Sequence, residues 1–198
     1  MCQDMSPVEK AIMFHGHICP GLLMGVRMAE AALNKLGVSS DQDEELLAIV
    51  ENDSCSVDAI QAILGCTFGK GNLIFKDYGK QVVTVASRQH NKAVRIAGRK
   101  LEPTAERQRF TALNRLAQLT AEEEAEKESL RMAIFEQVMS CPVEEMLDIR
   151  EVKIEWPPKA VIYQTVTCSS CGEGVSGHRV VETERGPLCL PCSKGERY

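Results

Sequence analysis

The chain has 198 residues, of which 44% are hydrophobic and 26% charged, a composition typical of a globular protein with one sizeable core. Its 23 basic and 28 acidic side chains give a net charge of −5, which argues against nucleic acid or an anionic membrane as a partner. No apolar run approaches the roughly 18 to 20 residues of a bilayer-spanning helix, and acidic side chains stand where a secretory signal would be basic and then apolar. The sequence therefore predicts a cytoplasmic protein without membrane contact.

The first hundred residues predict short helices and strands without regular β-α-β alternation, which favours an α+β core over a doubly wound sheet. Ser6 and Pro7 are typical of a helix start, and Gly16 and Gly37 are typical of helix ends. The further predicted elements are a helix over 20–36, a strand over 46–50, a helix over 57–64, and strands over 73–75 and 81–87 around a turn at 78–79.

Residues 103–139 predict two helices rather than one long rod. An acidic run interrupts two apolar stripes, and Thr120 with Glu123 three residues later forms a capping-box pattern. A short helical turn is expected after this pair, so that the helical segment extends over about residues 103–148.

Two consecutive prolines, Pro157 and Pro158, form a rigid break near the end of the chain. Strands are predicted on both sides of the break, over 152–156 and 160–166. We therefore expect a mixed helix and sheet core over residues 1–158 and a small finger domain over residues 159–198.

Nine cysteines are many for a chain of this length, and four of them form two CxxC motifs. Cys168 and Cys171 are separated by 17 residues from Cys189 and Cys192, a spacing that holds a tetrahedral Zn²⁺ with four thiolates. A thioredoxin-type redox pair is the alternative, but no β-α-β context surrounds either motif. Because a segment of roughly 40 residues cannot build its own core, we expect structural zinc to fold it. A hairpin is predicted between the motifs, over 177–186.

The segment His15-Gly16-His17-Ile18-Cys19 places two imidazoles and a thiol within five residues. Cys55 stands at the start of the helix predicted from 57, where the helix dipole would lower the pKa of a thiol. Together these groups predict either an open site for a transition metal, zinc or iron, or a reactive thiol. Ordinary packing of the same side chains is the competing interpretation.

Weaker candidates lie in and after the next helix. Cys66 is either a further ligand or a buried core thiol. Lys70 and Lys80 either hold a small anionic ligand or are surface lysines. The surrounding glycine-rich loop is one residue short of a P-loop and lacks the Ser or Thr after the lysine, so a nucleotide site is excluded. Asp58 and Gln61 lie one helical turn apart and could steer a ligand.

Three long motifs resemble one known family, the FmdE-like family of formylmethanofuran dehydrogenase. They are Phe14-His-Gly-His-Ile-Cys-Pro-Gly21, Asn52-Asp-Ser-Cys-Ser-Val-Asp-Ala-Ile-Gln61 and Gly65-Cys-Thr-Phe-Gly-Lys-Gly-Asn-Leu73. The resemblance covers about residues 8–165, and the C-terminal cysteines are similar to the zinc finger that many members append.

The resemblance implies an α+β core with a metal site, and a homodimer. It carries His17, Cys19 and Cys55 onto this chain as metal ligands, with His15 and Cys66 as neighbours. The family is named for a component of a molybdenum- or tungsten-pterin enzyme that makes or breaks a formyl group on methanofuran, yet family membership by itself does not specify a reaction.

The function favoured by these observations is that of a metal-binding accessory protein of a molybdopterin oxidoreductase in anaerobic one-carbon metabolism. A stand-alone metalloenzyme with an open His/Cys site and a metal- or sulfur-handling protein remain alternatives. The sequence has no GxSxG motif, no dinucleotide fingerprint and no ferredoxin cysteine spacing. Catalytic residues are therefore left unassigned, with zinc expected in the finger and a second zinc or iron ion in the core.

Overall fold

The computed structural model describes residues 5–40, 45–100, 102–158 and 161–196. Internal contacts divide the chain into two units, Met1–Pro157 and Pro158–Tyr198. Within the described ranges, no helix is long and apolar enough to cross a membrane.

The helices of the first unit begin and end largely where local signals predict. Ser6 and Glu9 form a capping box at the first helix, and Gly37, at φ 68°, ends the second. Thr120 and Glu123 form the predicted capping box of the fifth. The helices are α1 (Pro7–His15), α2 (Pro20–Leu36), α3 (Ser56–Leu64), α4 (Ala105–Asn114), α5 (Ala121–Ser140) and α6 (Val143–Met146).

A five-stranded mixed sheet forms the centre of the first unit, in the order β2-β1-β3-β4-β5. The β1–β2 pair is parallel, and the other pairs are antiparallel. The strands are β1 (Leu46–Val50), β2 (Leu73–Phe75), β3 (Val82–Ser87), β4 (Lys92–Gly98) and β5 (Leu147–Val152). Together with the helices this sheet confirms the α+β class.

The helices cover one face of this sheet, because alternate strand residues point to opposite sides. Ala48, Val50 and Val83 belong to the main core together with α2, α3 and α5. On the opposite face, Leu47 and Ala86 are covered by residues that follow β5, including Trp156.

Two features of the sheet differ from prediction. Strand β4 was not predicted, because Arg95 interrupts its apolar pattern; the structure pairs that side chain with buried Glu51. The strand predicted over 152–156 is wrong, since β5 ends at Val152. Residues 153–156 alternate in polarity because Ile154 and Trp156 pack flat on the sheet, without adding a strand.

Strands β2 and β3 flank the turn at Tyr78 and Gly79 but do not pair with each other. Strand β1 lies between them. The carboxyl ends of β1 and β2 consequently lie at the same edge of the sheet, and the chain passes from this edge into α3.

Helices α2 and α3 are in direct backbone contact at Gly25. A Cβ atom on this glycine would lie 2.3 Å from the carbonyl oxygen of Ser56, so only glycine permits this approach. The contact holds the first turn of α3 against α2.

The second unit consists of small paired strands and one short helix around the cysteines. The elements are β6 (Thr165–Thr167), β7 (Gly174–Ser176), β8 (Val181–Thr183), β9 (Gly186–Leu188) and α7 (Leu190–Lys194). β6 pairs with β7, and β8 pairs with β9. The hairpin predicted over 177–186 is displaced, because Gly177–Arg179 forms a 3₁₀ turn. The strand predicted over 160–166 begins only at Thr165, and Ala160 lies outside the described residues.

Candidate metal centres

The first candidate centre lies in the turn between α1 and α2. Helix α1 ends at His15, and Gly16, at φ 91°, reverses the chain. Cys19 is the N-cap of α2, and its Sγ accepts a hydrogen bond from the Leu22 N–H at 3.3 Å. His15, His17 and Cys19 each offer a ligand atom, and these atoms lie within 4.8 Å of one another.

Asp58 on α3 contacts the first of these histidines. Its Oδ2 lies 2.6 Å from Nδ1 of His15, which favours the tautomer with a proton on Nδ1. Nε2 of His15 then carries the free lone pair, and it lies 3.9 Å from Sγ of Cys19. The His15 side chain is 11% exposed, whereas His17 is exposed and its ring centre lies 4.4 Å from that of His15.

Cys55 stands next to Cys19, at the start of α3. A Cβ on Gly21 would lie 3.4 Å from the Cys55 Cβ and 4.0 Å from the Cys19 Sγ. Burial raises the pKa of the Cys55 thiol, and the hydrogen bond and charge of Cys19 raise it further. The expected lowering by the helix dipole is therefore wrong: Cys55 has helical φ and ψ, and its side chain caps no backbone N–H.

The structure does not bring the weaker candidates to this turn as a group. Cys66 follows the far end of α3, a helix about 13 Å long, and is fully buried in the apolar core. Lys70 precedes β2 and Lys80 follows it, so they lie toward opposite ends of that strand. Lys80 is at the edge nearer Cys55, where its backbone N–H donates to the Glu51 carbonyl at 2.9 Å.

Asp58 is the residue whose role sequence reasoning left least defined. Its position one turn into a predicted helix was visible, but its partner, His15, is 43 residues away in the chain. Sequence spacing alone contains no signal for that pairing.

The second candidate centre is formed by the four cysteines of the second unit. Their sulfur atoms lie within 4.8 Å of one another, and Cys171 Sγ and Cys189 Sγ are 4.0 Å apart. A tetrahedral zinc site with Zn–S bonds of about 2.3 Å needs sulfur atoms about 3.8 Å apart. The arrangement therefore fits zinc without rearrangement of the backbone.

Backbone amides point at these sulfurs, as thiolate ligands require. The Cys189 N–H donates to Cys168 Sγ at 3.3 Å, and the Cys192 N–H donates to Cys189 Sγ at 3.4 Å. Hydrogen bonds from the backbone of Cys171, Cys189 and Ser170 lower the pKa of Cys168 to about 6. This thiol is thus prepared to bind a metal as thiolate near neutral pH.

The fold and both sites agree with one family of proteins. The family described as "FmdE, Molybdenum formylmethanofuran dehydrogenase operon" matches residues 14–148, a range that contains the first candidate centre. The chain belongs to the FmdE family, which confirms the relationship inferred from the motifs.

A solved structure covers nearly the whole chain. It is an FmdE-like protein of tungsten formylmethanofuran dehydrogenase from Syntrophus aciditrophicus, 28% identical, with a TM-score of 0.62. The match covers 96% of this chain and 92% of that one.

A curated relative, a probable S-adenosyl-L-methionine-binding protein from Archaeoglobus fulgidus, is 32% identical over 191 residues. The match includes 91% of this chain and 50% of the relative, so the chain spans about half the relative's length.

Proposed function

We propose that this protein is a metal-binding accessory protein that holds a transition metal between α1, α2 and α3 and serves a molybdenum or tungsten oxidoreductase. The observation that carries the proposal is the convergence of His15, His17 and Cys19, with Asp58 hydrogen-bonded to His15 at 2.6 Å. A carboxylate that orients a histidine in this way is typical of metal ligands.

The donor set fits zinc or iron. Two imidazoles and a thiolate are intermediate to soft ligands, which magnesium and calcium do not favour. His15 would bind through Nε2 while Asp58 holds the proton on Nδ1, and Cys19 would bind as thiolate beside the Leu22 N–H. Cys55 would complete the set or remain beside it as a free thiol.

Three protein donors leave room for a further ligand. When bound, the metal would supply a Lewis acid or an activated water at that position. The chain's own residues would hold it at the solvent-facing turn, where His17 is exposed. This geometry favours a second candidate function, a stand-alone metalloenzyme acting on a small anion, with Lys80 as an additional cation at the same sheet edge.

The second unit would bind structural zinc and serve in docking. Four thiolates close the coordination of zinc, so this site argues for stability rather than for catalysis. We propose that residues 159–198 form an independent finger domain, that the protein acts in the cytoplasm as a homodimer, and that its partner is a large pterin-containing chain.

Metal analysis of the full chain, purified without oxygen, tests the proposal. The wild type is expected to carry two equivalents of metal, and Cys19→Ser is expected to lose one while Cys141→Ser loses none. If Cys19→Ser retains both equivalents, the core site does not exist. Co-purification with a molybdenum- or tungsten-containing chain supports the accessory role, whereas turnover of small anionic substrates by the isolated protein favours the enzyme.

A further inference from the structure

Cys19 and Cys55 form a pair of thiols contributed by two different helices. The two residues flank Gly21, whose added Cβ would contact both Cys55 Cβ at 3.4 Å and Cys19 Sγ at 4.0 Å. The thiols are close enough to hydrogen-bond to each other. Both are free and partly exposed, so a small solvent molecule has access to them.

The surrounding backbone keeps this pair together. Gly25 contacts the Ser56 backbone so closely that the two helix starts cannot separate without loss of core packing. Cys19 is fixed as the N-cap of α2, and Cys55 immediately precedes α3. A pair held this way gains effective concentration for a bond between the two sulfurs.

The two other cysteines that the structure describes in the first unit have different surroundings. Cys66 is fully buried in the apolar core, and Cys141 is partly exposed, with its Sγ directed at the Pro142 carbonyl at 3.6 Å. These two thiols therefore offer internal controls for any chemistry at the pair.

We propose that Cys19 and Cys55 are a redox-sensitive pair that forms a reversible disulfide with hydrogen peroxide and thereby releases the core metal. One thiolate attacks a peroxide oxygen, the O–O bond breaks, and a sulfenic acid and hydroxide form. The second thiol attacks the sulfenic sulfur, and water leaves as the S–S bond forms. The two thiols lose two electrons and two protons in total, and one peroxide becomes two waters.

Metal release follows because a disulfide sulfur is no longer an anionic ligand. Cys19 is the thiolate donor of the proposed core site, so oxidation would leave two imidazoles, which bind a metal far more weakly. This regulatory step rests on the proposed function, whereas disulfide formation itself does not.

Peptide mapping of the full chain after peroxide treatment tests the disulfide. Trypsin cleaves at Lys10 and Arg27 on either side of Cys19, and at Lys35 and Lys70 on either side of Cys55. A linked peptide pair, lighter by two hydrogen atoms and separated again by dithiothreitol, is the expected product. Because Cys66 shares the second peptide, Cys66→Ala must still give the linked pair and Cys55→Ser must not.

Metal content measured on the same samples tests the regulation. We expect peroxide to remove the core equivalent from the wild type and from Cys141→Ser, and dithiothreitol with added zinc to restore it. Absence of the linked peptides from a protein that holds its core metal overturns the thiol pair and leaves the proposed function standing. Linked peptides from a protein that never bound a core metal overturn both the regulation and the proposed function.

Discussion

Asp58 Oδ2 lies 2.6 Å from Nδ1 of His15, which joins the first turn of α3 to the last residue of α1. This hydrogen bond determines which imidazole nitrogen is available to a metal. It also explains why the three helices meet at this point: each contributes one group to the same small volume.

Asp58→Asn is expected to weaken metal binding at the core site by about 10- to 100-fold, the usual cost of losing a carboxylate partner of a ligating histidine. Competition with a chromophoric chelator measures this affinity. Asp53→Asn is the matched control, since Asp53 is exposed in the preceding loop. Equal affinity of the two variants would show that Asp58 does not orient a ligand.

Gly25→Ala is expected to destabilise the first unit, although alanine is the better helix former by about 1 kcal/mol. The new Cβ would lie 2.3 Å from the Ser56 carbonyl oxygen, and overpacking of this kind costs about 1–3 kcal/mol. Urea unfolding measures the change in the free energy of unfolding. Gly69→Ala, at a position with nothing within 4 Å of the added Cβ, should cost little; an equal loss in both variants would contradict the α2–α3 contact.

Glu51→Gln is expected to reduce stability at neutral pH but not in acid. Arg95 donates two hydrogen bonds to the buried Glu51 carboxylate and lowers its pKa from the ordinary 4.5. Because the folded-state pKa is depressed, the stabilisation is present above the unfolded value of 4.5 and is lost as the pH falls through the lowered pKa.

Urea unfolding at pH 7 and at pH 3 checks this prediction. The variant should be less stable by about 2 kcal/mol at pH 7, and the difference should shrink at pH 3. Glu126→Gln serves as the control, since Glu126 pairs with Arg109 at an exposed position. A pH-independent difference for Glu51→Gln would mean that the loss comes from packing rather than from charge.

Cys189→Ala is expected to unfold the second unit and to leave the first intact. The proposed zinc site supplies the folding energy of this small unit, and Cys189 also accepts the Cys192 N–H at the start of α7. Backbone NMR resonances of residues 161–196 should collapse while those of the core persist. Ser170→Ala, at an exposed neighbour of the site, should leave both sets in place; loss of the core resonances with Cys189→Ala would argue against an independent finger.

Local signals predicted much of the fold and the position of both candidate centres. The boundaries of α2 follow from Pro20 at its start and Gly37 at its end, and that pattern requires no information from elsewhere in the chain. Strand β4 escaped prediction because Arg95 is unfavourable in a central strand unless Glu51, 44 residues away, is known to be its partner.

The sequence by itself determined the donor groups: two histidines and a cysteine within five residues, and four cysteines at zinc-binding spacing. It could do so because ligand spacing is a local property of the chain. Only the tertiary structure decided that Asp58 orients His15 and that Cys55 reaches Cys19 while Cys66 is buried in the core. Those relationships depend on the angle and separation of α2 and α3, which the Gly25 contact sets and no local pattern encodes.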